Sequence, residues 1–449
     1  MKPDFKNSML LSVILMLGFF NLKAQNKVYT LQQLIDSTVT RSHLLAIQHW
    51  QVQEKTHKLK EDEIKRYPAV VLGGNYQYNF SLGELNVPAG FIGTLPTAAG
   101  DQLLPQQSTH LQLGQHQNYT ADVSLYQPIL QQAKIKTGLD IDRIDIALSE
   151  KEQVKLRQQL TLAVQKLYYG ILISEKQLEE ASNRMEAAQA KLADAESASA
   201  AGKIVTANLA GLRAAVAEEE QNILRLDITV QDYRRELASV ANIDEHALNT
   251  LQAPDTTGTD TYAATTLDFY RSNAEANTEL QITRLNREKA QLAIKAARQS
   301  SLPDIGLIAG YYYQKGNPIL PTSSPYIGIN LKWNLTDLFS NRQVTRQREA
   351  QLKQAEHAVA YQQQQLYTSI DKAYRKLVQT RALVEVAKKA WKYRQEELKI
   401  QQGKQMAGMN VKTDILEIKA NLARSVSDLY AAQLSCLLAT AELENLVAR

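Results

Sequence analysis

The sequence of 449 residues contains a single cysteine, Cys436, so neither a disulfide framework nor a cysteine-based metal site is available to it. No charge of one sign dominates, because 51 Lys and Arg residues against 47 Asp and Glu residues leave a net charge of +4. This balance argues against a nucleic-acid-binding protein. Beyond the N-terminus, no apolar run approaches the roughly 18 residues that a membrane-spanning helix requires. With a mean hydropathy of −0.34, the sequence is not that of a polytopic helical membrane protein.

Motifs that carry chemistry are also missing. The sequence has no His-Glu-x-x-His, no P-loop, no Gly-x-Gly-x-x-Gly and no Gly-x-Ser-x-Gly. His43, His49 and His57 fall on one predicted helix, whereas His110 and His116 fall in a predicted loop. We interpret these histidines as scattered surface residues rather than metal ligands. The sequence therefore predicts a protein that is not an enzyme and has no cofactor.

The N-terminus resembles a secretory signal. Lys2 and Lys6 precede the apolar stretch Met9–Phe20, and the small residue Ala24 follows at a plausible cleavage point. We therefore expect residues 1–24 to be a signal peptide and the protein to be exported.

Two landmarks recur at the same distance along the chain. Val123, in a predicted strand, matches Ile329 at an offset of 206 residues. Gly202, in a predicted turn, matches Gly408 at the same offset. Agreement of two dissimilar features on one offset predicts an internal duplication.

A third landmark, Tyr67-Pro68, matches Leu302-Pro303 at an offset of 235 residues. The difference between the two offsets falls in the long loop Ser81–Gln117 of the first half, and loop tips are where insertions are tolerated. The segment Asp244–Ala264 has the composition of a linker. We predict a first repeat over 25–243, a linker over 244–266 and a second repeat over 267–449.

Each half contains two segments of about ten residues, the length of a tilted transmembrane strand. Apolar and polar residues alternate in them: Val70, Leu72 and Tyr76 share one face, while Asn75 and Gln77 share the other. This pattern alone fits any half-buried sheet, but aromatic residues also gather as in the interfacial girdle of a membrane β-barrel. The predicted girdle comprises Tyr76, Tyr78, Phe80, Tyr119, Tyr126, Tyr311, Tyr313 and Trp333.

Four strands cannot close a barrel on their own. An open edge in lipid would leave backbone amides unpaired, at a cost of several kcal/mol each. The chain must therefore oligomerise if its strands lie in a membrane. Two copies would supply eight strands and three copies twelve.

Very long helices separate the strands from the glycine turns. Gln131–Ala200 contains no proline and would form a helix roughly 100 Å long. Its apolar positions keep a 4-3 spacing, as do those of its counterpart in the second half, which predicts coiled-coil pairing. Leu31–Arg66 and Thr206–Ala241 predict shorter helices, and Gly202 and Gly408 predict turns at the tips of the two helical hairpins. An ordinary coiled-coil protein with an incidental hairpin is the poorer alternative.

Paired strands and long helical hairpins, duplicated in one exported chain, resemble the TolC family of outer-membrane efflux proteins over the whole mature sequence. The segments that carry the resemblance most specifically are Val123-Ser-Leu-Tyr-Gln-Pro-Ile-Leu130 and Gly408-Met-Asn-Val-Lys-Thr-Asp-Ile-Leu-Glu417. The family's usual Phe-Asp-Gly-Gly after the strand is replaced by Gln131-Gln132 in the first half. In the second half it is replaced by Thr336-Asp337-Leu338-Phe339.

The resemblance implies a mainly α fold with a membrane β-barrel portion: a homotrimer with one 12-stranded barrel in the outer-membrane lipid and an α-helical tunnel in the periplasm. It also implies two partners, a periplasmic adaptor (membrane fusion protein) and an inner-membrane pump that supplies the energy. The implied function is a passive duct of a tripartite efflux or type I secretion system. The cargo is not assigned, because its choice resides mainly in the pump.

In the family, acidic residues six and nine positions after the tip glycine form a ring at the tunnel entrance. Those positions are Asp414 and Glu417 here, whereas the first half has Asn208 and Gly211. The resemblance therefore implies an entrance selectivity ring formed by the second half. Two ordinary solvated carboxylates on a helix are an equally weighted alternative. The family's basic latch residue is not evident, since Asn410 occupies that stretch.

Two other functions compete with the duct. A periplasmic coiled-coil adaptor of an efflux pump is also exported, but it has one helical hairpin and several soluble β-domains rather than two matching halves. A periplasmic enzyme would need an active-site constellation, which the sequence lacks. We therefore predict an outer-membrane channel subunit, with the adaptor as the alternative.

Overall fold

We analysed a computed structural model, which describes residues 28–98, 100–201, 206–248, 250–254, 266–317, 320–407 and 412–447. The chain divides into two compact units. The helical unit comprises the described parts of Met1–Gln51, Ser149–Arg284 and Ala358–Arg449. The sheet unit comprises Val52–Leu148 and Leu285–His357. Much of the predicted linker 244–266 lies outside the described residues.

Helices and strands follow one another in the order that the duplication predicts. The helices are α1 (Leu31–Arg41), α2 (His43–Ile64), α3 (Gln132–Ala200), α4 (Thr206–Ala241), α5 (Leu267–Ser272), α6 (Thr278–Ser300), α7 (Leu335–Met406) and α8 (Lys412–Leu446). The strands are β1 (Ala69–Tyr78), β2 (Gly83–Val87), β3 (Gly93–Thr97), β4 (Gly100–Leu104), β5 (Thr109–Leu113), β6 (Gln117–Pro128), β7 (Asp304–Lys315) and β8 (Ser323–Lys332). The fold is thus mainly α with a smaller β portion, as predicted.

Local capping moves two predicted boundaries. The single helix predicted over Leu31–Arg66 is divided at Ser42, whose extended backbone ends α1 and whose Oγ accepts a hydrogen bond from the Leu45 amide in the first turn of α2. In the sequence, Leu335 continues the two-residue alternation of Ile327, Ile329 and Leu331, but in the structure it begins α7. The Oδ1 atom of Asn334 accepts a hydrogen bond from the Thr336 amide at 3.2 Å, so Asn334 caps this helix.

The main sheet has four antiparallel strands in the order β1-β6-β7-β8. Within the first half Ala69 lies opposite Tyr126, and within the second half Asp304 lies opposite Lys332. Applying the two offsets, 235 for the first strand and 206 for the second, converts the first pair into the second. The two hairpins therefore share one register, and β6 and β7 join the halves.

The predicted loop Ser81–Gln117 is not a plain loop, and this part of the prediction was wrong. It contains two nested hairpins, β2 paired with β5 and β3 paired with β4. Apolar residues alternate along β2 (Leu85, Val87) and β5 (Leu111, Leu113), and Leu85 lies opposite Leu111 in the ladder. Gly90 turns the chain between the two hairpins with a φ of +82°, a conformation that favours glycine.

The helical unit is held by two apolar clusters at the predicted coiled-coil spacing. Leu366, Ile370 and Leu377 of α7 are fully buried against α8, where Cys436 is 1% exposed. Cys436 thus behaves as a small apolar residue of the seam. The second cluster joins α1, α3, α4 and α8 and comprises Leu34, Val164, Tyr168, Ile171, Leu237 and Leu434 among others. In the ranges described above, no helix is both long and apolar enough to cross a membrane.

Candidate channel-forming surfaces

One face of the main sheet is apolar and exposed. Leu72 on β1, and Ile327 and Ile329 on β8, are 79%, 77% and 73% exposed. The register continues this face across the sheet, because Leu72 lies opposite Val123 and Val123 opposite Tyr311. Monomeric soluble proteins rarely leave such contiguous apolar surface in water. This face is therefore suited to contact lipid.

Several predicted girdle residues lie together on that face. Tyr76 and Tyr119 are cross-strand partners, with ring centroids 5.1 Å apart. Tyr78 packs edge-on against Phe80 at 5.1 Å, just beyond the end of β1. Tyr311 and Tyr313 share the face through the β6–β7 register, and Trp333, directly after β8, donates a hydrogen bond from Nε1 to the Ser301 carbonyl. Their function as an interfacial girdle stays a prediction.

Tyr126 departs from the predicted girdle. It occupies an even position of β6, so its side chain lies on the same face as Asp122 and Ser124, opposite to the face of Tyr119. Its hydroxyl accepts a hydrogen bond from Gln131 Nε2 at 2.7 Å. The prediction used nearness to a strand end and neglected the two-residue period. Tyr126 therefore belongs to the polar face of the sheet.

The two acidic residues predicted at the tunnel entrance lie in the first turns of α8. Asp414 and Glu417 are both exposed, and their i, i+3 spacing places them on one side of the helix. Glu417 forms an ion pair with Lys191 of α3 at 2.8 Å. Asp414 accepts a hydrogen bond from Gln401 Nε2 at 3.4 Å.

Lys191 is a residue of this tip that the sequence did not single out. It lies more than two hundred residues from Glu417, and only the packing of α3 against α8 brings the two together. Its charge offsets one of the two carboxylates. The predicted tip turns at Gly202 and Gly408, and also Asn410, lie outside the described residues.

Ion pairs connect four helices of the helical unit in series. Arg234 on α4 contacts Glu175 on α3 at 2.6 Å. Glu442 on α8 contacts Lys166 on α3 at 3.3 Å and Lys376 on α7 at 2.7 Å. Burial opposes the charge of Glu442, yet the hydrogen bonds from the two lysines lower the pKa of this carboxyl. Among the four long helices the series runs α4, α3, α8, α7, so α4 and α7 are the end helices of this group. A further pair, Arg271 with Asp371 at 2.8 Å, attaches the short helix α5 to α7.

Features of a metal or catalytic site do not emerge from the described ranges. No group of three or more His, Cys, Asp or Glu side chains there is arranged to hold a metal ion. His116 has a structural contact instead: its Nδ1 atom lies 2.7 Å from the Asn79 carbonyl oxygen, and its ring stacks on Tyr78. It thus braces the hairpin where β1 and β6 continue into β2 and β5.

Comparison with known proteins identifies relatives at two levels. A sequence profile of the family described as outer membrane efflux protein matches residues 34–242 and 270–449. No curated protein matches the sequence significantly.

Solved structures of outer-membrane channels have a similar fold. CusC superposes with a TM-score of 0.71 at 13% identity, covering 93% of this chain and 91% of that one. VceC of Vibrio cholerae gives 0.68 at 14% identity, covering 93% and 95%. The CmeC outer membrane channel of Campylobacter jejuni gives 0.70 at 12% identity, covering 94% and 85%. At these identities, the likeness concerns the fold alone.

Proposed function

The chain belongs to the outer membrane efflux protein family, and on that premise we propose that three copies close into one passive duct that spans the outer membrane and extends into the periplasm. Membership makes the chain an outer-membrane efflux channel, located in the cell outer membrane. We therefore do not propose the alternative function, a periplasmic coiled-coil adaptor. Within the molecule, the observation that supports the channel function is the exposed apolar face of the sheet, a surface suited to contact lipid.

The sheet supports closure between copies. Its outer strands, β1 and β8, each leave one backbone edge without a partner in the four-stranded order. Such an edge is costly in lipid, because no water satisfies its amides. Strand directions alternate through the sheet, so β8 of one copy can pair with β1 of the next in the same antiparallel sense. Repetition of that contact closes a ring without free edges.

The helical unit supports the same head-to-tail contact. Its end helices, α4 and α7, each expose an apolar stripe with coiled-coil spacing, the kind of surface that a partner helix covers. On α4 the apolar members of the stripe are Ala210, Ala214, Ala217, Leu224 and Ile228, with Gln221 at the same spacing between them. On α7 its apolar members are Ala382, Val386, Tyr393 and Ile400. We infer that α4 of one copy packs against α7 of the next.

Membership in the family supplies the number of copies and the partners. Channels of this family are trimeric and work with an adaptor and a pump. By analogy, three copies would give a 12-stranded barrel, and an adaptor and an inner-membrane pump would load the duct from the periplasmic side. The channel itself would do no chemistry.

An assembly experiment tests the closure. The double variant Leu224→Gln and Ile228→Gln removes apolar surface from the α4 stripe, and Glu218→Gln with Arg225→Gln is its matched control, because both residues are exposed and lie beside the stripe. We expect light scattering of the purified protein in detergent to give three copies for wild type and control, and a reduced trimer fraction for the stripe variant. A wild-type protein that is monomeric, or that gives no conductance in planar bilayers, would refute the duct.

We also propose that Asp414 and Glu417 bias the entrance toward cations. Their exposure and their common side of α8 support a ring, in which each copy carries one carboxylate left over after the Lys191 contact. Replacing both by Asn and Gln is expected to lower the cation preference measured from reversal potentials in a salt gradient. An unchanged preference would favour the alternative of two ordinary solvated carboxylates.

A further inference from the structure

Three glycines on the polar face of the main sheet, Gly73, Gly306 and Gly310, are covered by side chains of neighbouring strands. The clearest case is Gly306 on β7, which is itself buried. A Cβ atom added there would lie closer than 3.0 Å to the Cε2, Cζ and hydroxyl atoms of Tyr126. The tyrosine ring therefore occupies the space of the missing side chain, and Gln131 holds its hydroxyl with a hydrogen bond of 2.7 Å.

The same arrangement recurs at two other glycines of this face. The ring of Tyr326 on β8 lies over Gly310, its direct partner in the ladder. The carboxylate of Asp122 on β6 lies over Gly73, its direct partner on β1. In both cases an added Cβ would come closer than 3.0 Å to the end of the covering side chain, and at Gly310 it would also come within 2.7 Å of the Val123 carbonyl oxygen.

Gly74 provides the internal comparison. It follows Gly73 in β1 and therefore lies on the opposite, apolar face. A Cβ added to it would have only the Thr120 carbonyl oxygen near it, at 3.9 Å. Gly73 and Gly74 thus differ because only the polar-face glycine has a side chain lying over it.

In a closed barrel, these contacts would affect how far the side chains extend into the interior. Side chains on the inner face of a barrel converge on its axis and fill it unless they are short or lie along the wall. Glycine allows a neighbouring ring to lie flat against the backbone, where a methyl group would push the ring away. The polar face carries Asp122, Ser124 and Lys332, so it is the face that water can fill.

We propose that Gly306, Gly310 and Gly73 set the bore of the channel by seating Tyr126, Tyr326 and Asp122 against its wall. This inference rests on the proposed barrel with its polar face inward. It assigns bore-determining positions to glycines that make no contact with the cargo. The covering tyrosines form a flat aromatic lining rather than a constriction.

Single-channel conductance of the full-length protein in planar bilayers tests the inference. Gly306→Ala should displace the Tyr126 ring into the lumen and lower the conductance, because the atoms it would meet are the far end of a mobile side chain. Gly74→Ala, the same change on the other face, should leave the conductance at the wild-type value. The double variant Gly306→Ala with Tyr126→Ala should recover it.

Tyr126→Ala alone provides a second test, because this variant adds no atom that could overlap a neighbouring side chain. A ring that already lies flat contributes little to the bore, so we expect its removal to leave the conductance close to wild type. A large rise for Tyr126→Ala would show that the ring constricts the channel and would overturn the inference, as would equal conductance for Gly306→Ala and Gly74→Ala. Failure of the wild-type protein to form channels would instead overturn the proposed duct, so the two failures are distinguishable.

Discussion

Glu442 is a residue of α8 at which helices of both helical hairpins meet. Its carboxylate contacts Lys166 on α3 and Lys376 on α7, at 3.3 and 2.7 Å. Replacing it by Gln keeps the size and a hydrogen-bonding group but removes the charge that both lysines neutralise. We expect the helical unit of Glu442→Gln to be less stable at neutral pH.

The size of the effect follows from exposure. The Glu442 side chain is 22% exposed, but the two lysines are about half exposed, so water screens both pairs. Exposed pairs contribute about 0.2–1 kcal/mol each, whereas breaking a fully buried pair costs about 3–5 kcal/mol. Because Glu442 forms two pairs that are both partly screened by water, we expect Glu442→Gln to lose roughly 1–2 kcal/mol of unfolding free energy. Glu356→Gln, at the exposed pair with Lys353, is the control for which we expect a much smaller loss.

The pH dependence of this stability loss tests whether it comes from the charge of Glu442. Because the pKa of Glu442 is lowered in the folded protein, its contribution is present above the ordinary pKa of 4.5 and is lost as the pH falls through the folded value. Helix unfolding in detergent, followed by circular dichroism, should give Glu442→Gln a lower free energy of unfolding than wild type at pH 7.5. This difference should disappear at low pH. An equal deficit at both pH values, or none at pH 7.5, would refute this reasoning.

Three further changes test other contacts. Leu434→Ala empties a fully buried position and should cost about 3–5 kcal/mol of unfolding free energy in the same assay; a cost near zero would show that the cluster does not hold the unit. Burial raises the pKa of Glu180, so its charge is disfavoured in the folded state. Glu180→Gln should therefore raise the free energy of unfolding at neutral pH. This gain should shrink as the pH falls through the folded pKa and be absent below 4.5, because wild-type Glu180 is then protonated in both states. Lys191→Met frees Glu417 and should raise the cation preference in reversal-potential measurements, whereas a lower preference would contradict the entrance ring.

The parts of the fold that sequence predicted well are those with a strong period. Long runs without proline predicted α3 and α4 almost to the residue, because a helix continues until a capping or breaking residue intervenes. Two-residue alternation identified the four strands of the main sheet. The two offsets also relate the two hairpins in the structure, since the same pairs of positions face each other in both.

The features that the sequence did not predict depend on contacts that leave no periodic pattern in the sequence, whether the residues are distant or close along the chain. Lys191 meets Glu417 only because α3 packs against α8, and nothing near either residue signals it. The nested hairpins of the first half have strands of five residues, too short for alternation to stand out. Tyr126 was misplaced for a different reason: its position relative to Tyr119 was available in the sequence, and the strand period places the two on opposite faces.

The duplication predicts the register of the contact between copies. Inside the chain, β6 pairs with β7, and Val123 lies opposite Tyr311. A contact between copies joins the equivalent strands, β8 and β1, so the offsets of 206 and 235 carry this pair to Ile329 of one copy and Tyr76 of the next. Both residues lie on the apolar face, as pairing across a continuous sheet requires.

Cysteine cross-linking can test that register, because the native Cys436 is buried and 1% exposed. Directly opposed residues in an antiparallel ladder have Cβ atoms about 4.5–5.5 Å apart, near disulfide range, whereas residues displaced by two lie about 7–8 Å apart. The double variant Ile329→Cys with Tyr76→Cys should therefore give a covalent trimer on non-reducing gels. Ile329→Cys with Tyr78→Cys, on the same face but two residues away, should not. Cross-linking only in the second variant would mean that the contact between copies does not repeat the contact between halves, and that the ring closes with a different stagger from the one inside the chain.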